Sequence, residues 1–112
     1  MILSSKVERI YTTLLRDAST GSFGFSISGG KGSEQFVEGD DSVYISKVAE
    51  AGPAHRDGKI QVGDKLVQIN HTDVTDIDHK KVVELLVGRN ELHVRLCVER
   101  KNGLLGNFFH IS

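Results

Sequence analysis

Five histidines, one cysteine and one glycine-rich basic run are the places where this 112-residue chain could do chemistry. His55, His71, His79, His93 and His110 are scattered, and no two share the short spacing that lets a pair of imidazoles grip one metal ion. Cys97 is the single cysteine, with no second thiol to complete a disulfide or a metal pair. Covalent catalysis needs a nucleophile, a base and an orienting group within reach, and no G-x-S-x-G turn presents a serine for that purpose. Cys97 therefore reads as a packed or strand-surface residue. Gly29-Gly30-Lys31-Gly32 looks like a phosphate cradle, but Phe25 stands where the first glycine of the P-loop belongs and Gly32 where its Ser or Thr belongs. The residues argue against an enzyme, and neither a metal nor a cofactor is expected.

Composition narrows the partners the chain could have. Lys and Arg number 14 against 15 Asp and Glu, a formal charge of −1, whereas nucleic acid or an anionic membrane demands a concentrated positive face. With 38% hydrophobic and 26% charged residues, the chain matches one globular domain with one modest core. The lone cysteine suits a reduced, intracellular setting. Met1-Ile2-Leu3-Ser4-Ser5 is too short for a signal peptide, and no apolar run approaches the ~18 residues of a membrane span.

The elements that must position any site are mostly strands. Val7 to Leu15 is rich in β-branched and aromatic residues. Asp17 to Ser22 is a turn, and Phe23 to Ser28 alternates apolar and polar residues as a strand with one buried face does. Gly29 to Asp41 reads as a long exposed loop, Val43 to Val48 as a strand, and Ala51 to Gly58 as a short helix with Pro53 in its first turn and Gly58 as its stop. Strands follow at Lys65–Asn70 and Glu91–Arg100, with a tight turn and a very short strand between Asn70 and Val74. In the last strand Leu92, Val94, Leu96 and Val98 share one side, and His93, Arg95 and Cys97 the other.

A longer helix, capped by Thr75 or Asp76, is expected to reach Val87 and to stop at Gly88. At ~100° per residue, Val82 and Leu85 lie on one face and His79, Val83 and Leu86 on an adjacent one. The second stripe either widens the core or lines one wall of a groove, with His79 as the polar group at its end.

The ordered series of short motifs resembles a PDZ domain. Ser22-Phe23-Gly24-Phe25 followed by Ser26-Ile27-Ser28-Gly29-Gly30 is similar to that family's carboxylate-binding loop and second strand. Val43 to Val48, Gly52-Pro53-Ala54 with Asp57-Gly58, Ile60 to Asn70, and the helix of His79, Val82-Val83 and Leu85-Leu86 follow in the family's order. The match spans residues 7–100, and residues 101–112 form an extension or linker outside it. The fold implied is mainly β: a five- to six-stranded, partly open antiparallel barrel or sandwich, capped by one short and one long helix. Gly29 to Ser33, the acidic loop after it and Ile45-Ser46-Lys47-Val48 are most similar to the PDZ repeats of Scribble-type (LAP family) polarity scaffolds.

The resemblance implies that a free C-terminal peptide of the form X-Ser/Thr-X-Φ adds as an extra strand beside residues 25–28. The amides of Phe23, Gly24 and Phe25 then hold its carboxylate, and Phe23, Phe25, Ile27, Val83 and Leu86 form the pocket for its last side chain. His79 selects Ser or Thr two residues before the terminus, while Ser26, Ser28, Ser46 and Lys47 face upstream positions, Lys47 favouring an acid. Partners would be the tails of membrane or signalling proteins ending in Val, Leu or Ile, met by a monomeric domain of a larger cytoplasmic scaffold at the cell cortex or at cell–cell junctions. Two departures stand out: Ala18 occupies the position where the family often has a base, the nearest being Arg16, and Ser22 replaces the commoner glycine. A dimerisation module using the same edge strand is the alternative. Leu104, Leu105, Phe108, Phe109 and Ile111 make the tail unusually apolar, and Ser112 suits an apolar terminal pocket poorly.

Overall fold

The computed structural model describes residues 6–87 and 91–102. Its elements run β1 (Lys6–Leu15), β2 (Phe25–Gly29), β3 (Val43–Val48), α1 (Pro53–Asp57), β4 (Lys65–Ile69), β5 (Thr72–Asp73), α2 (His79–Val87) and β6 (His93–Asn102). All strand pairings are antiparallel, in the order β1-β6-β4-β3-β2 with β5 on β4, so β2 lies at one edge of the sheet. The expected mainly β architecture with two helices is therefore observed among the described residues. Leu14, Ile45, Leu66, Ile69, Val82 and Val98 are fully buried at its centre.

The boundaries of β2, α2 and β6 differ from the sequence reading. β2 begins at Phe25 because Gly24 takes a left-handed φ of +83°, which breaks the extended run that alternation had placed from Phe23. α2 begins at His79, after the caps expected at Thr75 or Asp76. Thr75 instead gives its amide and hydroxyl to Asp73, Asp76 pairs with Lys31, and residues 77–79 exchange backbone bonds with Lys31. β6 starts at His93, leaves Leu92 exposed, and runs to Asn102, which pairs with Lys6. Cys97 is buried in it beside Leu96 and Val98, so this stretch of β6 is covered on both faces. The proposed helix stop Gly88 and the apolar tail from Leu104 to Ser112 lie outside the described residues.

The short elements are fixed by specific caps. Pro53 sits in the first turn of α1, and Gly58 closes it in a left-handed conformation, its amide bonded to the Ala54 carbonyl. Buried Thr12 donates its hydroxyl to Asp57 at 2.7 Å, tying α1 to β1. Phe36 stacks on Tyr44 at 5.2 Å, and Tyr44 donates to Asp40, so the long loop between β2 and β3 is anchored to β3 despite its exposure. Burial and the Asp40 contact push the Tyr44 phenol up to about 12.

Asp64 is the one fully buried charged residue among the described residues, at 2% exposure. Arg100 grips both of its carboxylate oxygens at 2.8 Å, and the Gln61 amide donates to one of them. The Asp64 carboxylate holds the Arg100 guanidinium above its ordinary value. Removing one partner strands the other in a poorly solvated place. Asp64→Ala is expected to cost about 3 kcal/mol in urea unfolding; a midpoint at the wild-type position would show that the pair does not hold β4 to β6.

Candidate functional site

The site is built on the turn that leads from β1 into β2. Asp17 closes that turn by accepting the Ser19 hydroxyl and the amides of Ser19 and Thr20, and these bonds, the Ser19 hydroxyl foremost, hold its carboxyl below the ordinary value. Arg16 then acts as a staple. Its guanidinium donates to the carbonyls of Gly21, Leu86 and Glu91 and lies 4.3 Å over the Phe23 ring, joining the turn to the end of α2 and to the segment that leads into β6.

Three successive carbonyls are tied back to the body of the domain. Ser22 O accepts from Asp17 N, Phe23 O from Ala54 N and Gly24 O from Ala49 N, at 2.8, 3.2 and 2.9 Å. In a trans peptide the N–H of the next residue points opposite to the carbonyl. The amides of Phe23, Gly24 and Phe25 are therefore turned away from the domain, and a glycine between two phenylalanines makes their convergence possible. Gly24 is required twice over, since its φ is +83° and a Cβ there would stand 2.9 Å from Pro53 Cδ. Outward amides clustered in this way can hold an anion.

Beside the turn, β2 pairs with β3 on one side only, and α2 is hitched to its far end. His79 N donates to Lys31 O at 3.0 Å, and His79 Nδ1 lies 2.7 Å from Gly29 O. A carbonyl only accepts, so Nδ1 carries the proton, and in the neutral ring Nε2 is left as the acceptor. Gly30 permits this close approach: a Cβ there would stand 2.9 Å from both Cα and N of His79. Lys31 adds an ion pair to Asp76 at 2.8 Å, which raises the Lys31 ammonium above its ordinary value.

The residues expected at the site fall into three groups. Phe23 and Leu86 are buried members of the core cluster, at 7% and 9% exposure, with half-buried Phe25 and Ile27 packed against it. Val83 is half-buried one turn beyond His79, so the helix stripe divides: Val82 and Leu86 face the core, while His79 and Val83 stay partly open. Ser26 opposes exposed Lys47 across the β2–β3 ladder, and Ser28 opposes Tyr44. Ser46 falls in the irregularity between those pairs and has no register partner on β2. Sequence reasoning missed the structural parts played by Arg16, Gly30 and Lys31. Positive φ at Gly30 had a signal in the Gly-Gly pair, whereas the Arg16 staple joins residues 70 or more positions apart and had none.

An open edge strand beside a helix, ending in a nest of outward amides, is the layout of a module that recognises extended chains by strand addition. The chain belongs to the PDZ domain family, whose profile matches residues 12–99. It is 42% identical to human Disks large homolog 3 over 69 residues and 39% identical to the Discs large homolog 1-like protein of Danio rerio over 84. These matches cover 62% and 75% of this chain but only 8% and 10% of those relatives. Among solved structures it is similar to Dlg1 PDZ2 of the choanoflagellate Monosiga brevicollis, with a TM-score of 0.76 and 31% identity over 83% of this chain and 99% of that one. These relatives are Disks large proteins, so the comparisons support the family without the finer Scribble-type resemblance.

Gly24→Ala tests the nest. A side chain at this left-handed φ costs about 1–2 kcal/mol before any clash with Pro53. The variant is expected to unfold at lower urea concentration and to lose binding to a short peptide with a free C-terminal carboxylate. Wild-type stability and affinity together would show that the turn does not depend on Gly24.

Proposed function

We propose that this domain is a non-enzymatic interaction module that binds free C-terminal peptides of the form X-Ser/Thr-X-Φ by strand addition between β2 and α2. The observation that carries this reading is the set of three tied-back carbonyls, which turns the amides of residues 23–25 outward at one end of an open edge strand. The ligand's carboxylate binds these amides, its last side chain enters the apolar wall of Phe23, Phe25, Ile27, Val83 and Leu86, and its backbone pairs with residues 25–28. The competing idea, dimerisation through the same edge, has no use for an anion nest. The resemblance to polarity scaffolds supports a place within a larger cytoplasmic scaffold at the cell cortex or cell–cell junctions, of Disks large or Scribble type, with the tails of membrane or signalling proteins as partners.

Only a few ligand residues are ordered in such a groove, so affinity is expected in the micromolar range, roughly −7 to −8 kcal/mol. Calorimetry with a short peptide ending in Thr-X-Val, as free acid and as C-terminal amide, checks the carboxylate assignment. Equal binding of the two forms would contradict it.

His79 supplies selection upstream. With Nδ1 committed to Gly29 O, its Nε2 accepts the hydroxyl of a ligand Ser or Thr two residues before the terminus. Losing that bond costs about 0.5–1.5 kcal/mol. His79→Val is therefore expected to lower the preference for Thr over Val at that ligand position. In the same panel, Lys47→Ala is expected to erase a salt-sensitive preference for Glu over Gln one residue further upstream, worth about 0.2–1 kcal/mol. Unchanged ratios would remove His79 and Lys47 from the specificity set.

A further inference from the structure

The amide nest is not empty of acceptors. Ser22 Oγ accepts the Gly24 N–H at 2.9 Å, while the Ser22 amide itself donates to Thr20 Oγ1 at 3.2 Å. Two hydroxyls thus cap alternate amides along the turn, each two residues ahead of its own position. The second cap falls on the central donor of the nest. Ser22 is exposed, so its hydroxyl is held there by this bond and not by packing. A carboxylate oxygen bonded to the same N–H would need the space that Oγ occupies, because one amide proton directs one strong acceptor along its own axis.

We propose that the Ser22 hydroxyl is an internal competitor for the ligand carboxylate and that it sets the affinity of the groove. This rests on the peptide-binding reading above. In the free protein Oγ satisfies the Gly24 amide. On binding, the side chain rotates out to water and a ligand oxygen takes its place. An ionised carboxylate makes the stronger, charge-assisted bond and wins the exchange, at the cost of the bond it breaks. A neutral acceptor exchanges like for like and gains little. The departure from glycine at this position is therefore an attenuator of affinity. The hydroxyl also keeps the central amide capped when no peptide is bound.

The test compares wild type, Ser22→Ala and Ser22→Thr with the free-acid peptide ending in Thr-X-Val, together with exchange of the Gly24 amide in the free proteins. Ser22→Ala is expected to bind the peptide roughly two- to tenfold more tightly, the range for one neutral hydrogen bond. Its Gly24 amide should exchange faster than in wild type, and Ser22→Thr, which keeps the hydroxyl, should stay near wild type in both. A wild type that binds the acid while Ser22→Ala binds no more tightly, or less tightly, overturns the competitor role. Weaker binding by Ser22→Ala would mean that the hydroxyl donates to the carboxylate. A wild type that ignores the free acid overturns the peptide-binding reading itself.

Discussion

A trans peptide cannot point its carbonyl and its following amide in the same direction, and the site depends on that constraint. Ser22, Phe23 and Gly24 each give their carbonyl to a backbone donor of the domain, from Asp17, Ala54 and Ala49. The three amides that follow have nowhere to face but outward. Asp17 lies in the turn itself, Ala49 follows β3 and Ala54 is in α1, so the turn takes its geometry from its own closure and from two other parts of the fold. Pro53 enforces the same arrangement from below, because its ring leaves no room for a side chain at residue 24.

The other wall follows from how α2 is anchored. An exposed edge strand invites unwanted pairing, and proteins commonly keep such edges short or cover them. Here β2 has five residues, and the start of α2 is drawn against its far end by backbone bonds to Lys31 and by the His79 imidazole on Gly29 O. Gly30 allows the contact. One bond thereby serves two purposes: it fixes the entrance of the helix, and it decides which ring nitrogen of His79 is free to accept. Arg16 closes the opposite end by holding the last turn of α2 and Glu91, just ahead of β6, to the loop. The start and end of α2 are thus each held by polar contacts, while Phe25 and Ile27 on β2 are packed against the core.

Much of this could be read from residue order. β-Branched and aromatic content placed β1, alternation placed β6, and the Pro53 and Gly58 signals placed α1. The Phe-Gly-Phe turn followed by Gly-Gly placed the candidate loop and the edge strand behind it. What was illegible depended on contacts distant in sequence. Thr75 and Asp76 look like helix caps, but Asp73 and Lys31 claim them first, so α2 starts later than local signals suggest. Cys97 sits on the polar side of an alternating strand, yet it is buried because β6 is central and both of its faces are covered there. Leu86 was grouped with His79 by helical angle, but packing assigns it to the core beside Val82. Ser22 shows in the sequence only as a departure from glycine, because its hydroxyl becomes an acceptor for the Gly24 amide only in the folded turn.

The most direct measurement is a titration of isotopically labelled protein with the free-acid peptide, following backbone amide protons by NMR. Charge-assisted bonds from the nest to a carboxylate should move the amide protons of Phe23, Gly24 and Phe25 downfield, with smaller changes along β2 and at His79. The C-terminal amide of the same peptide should leave those three nearly still. If the largest shifts fall instead on the β1 edge, or if acid and amide move the three amides alike, the outward amides are not the carboxylate site.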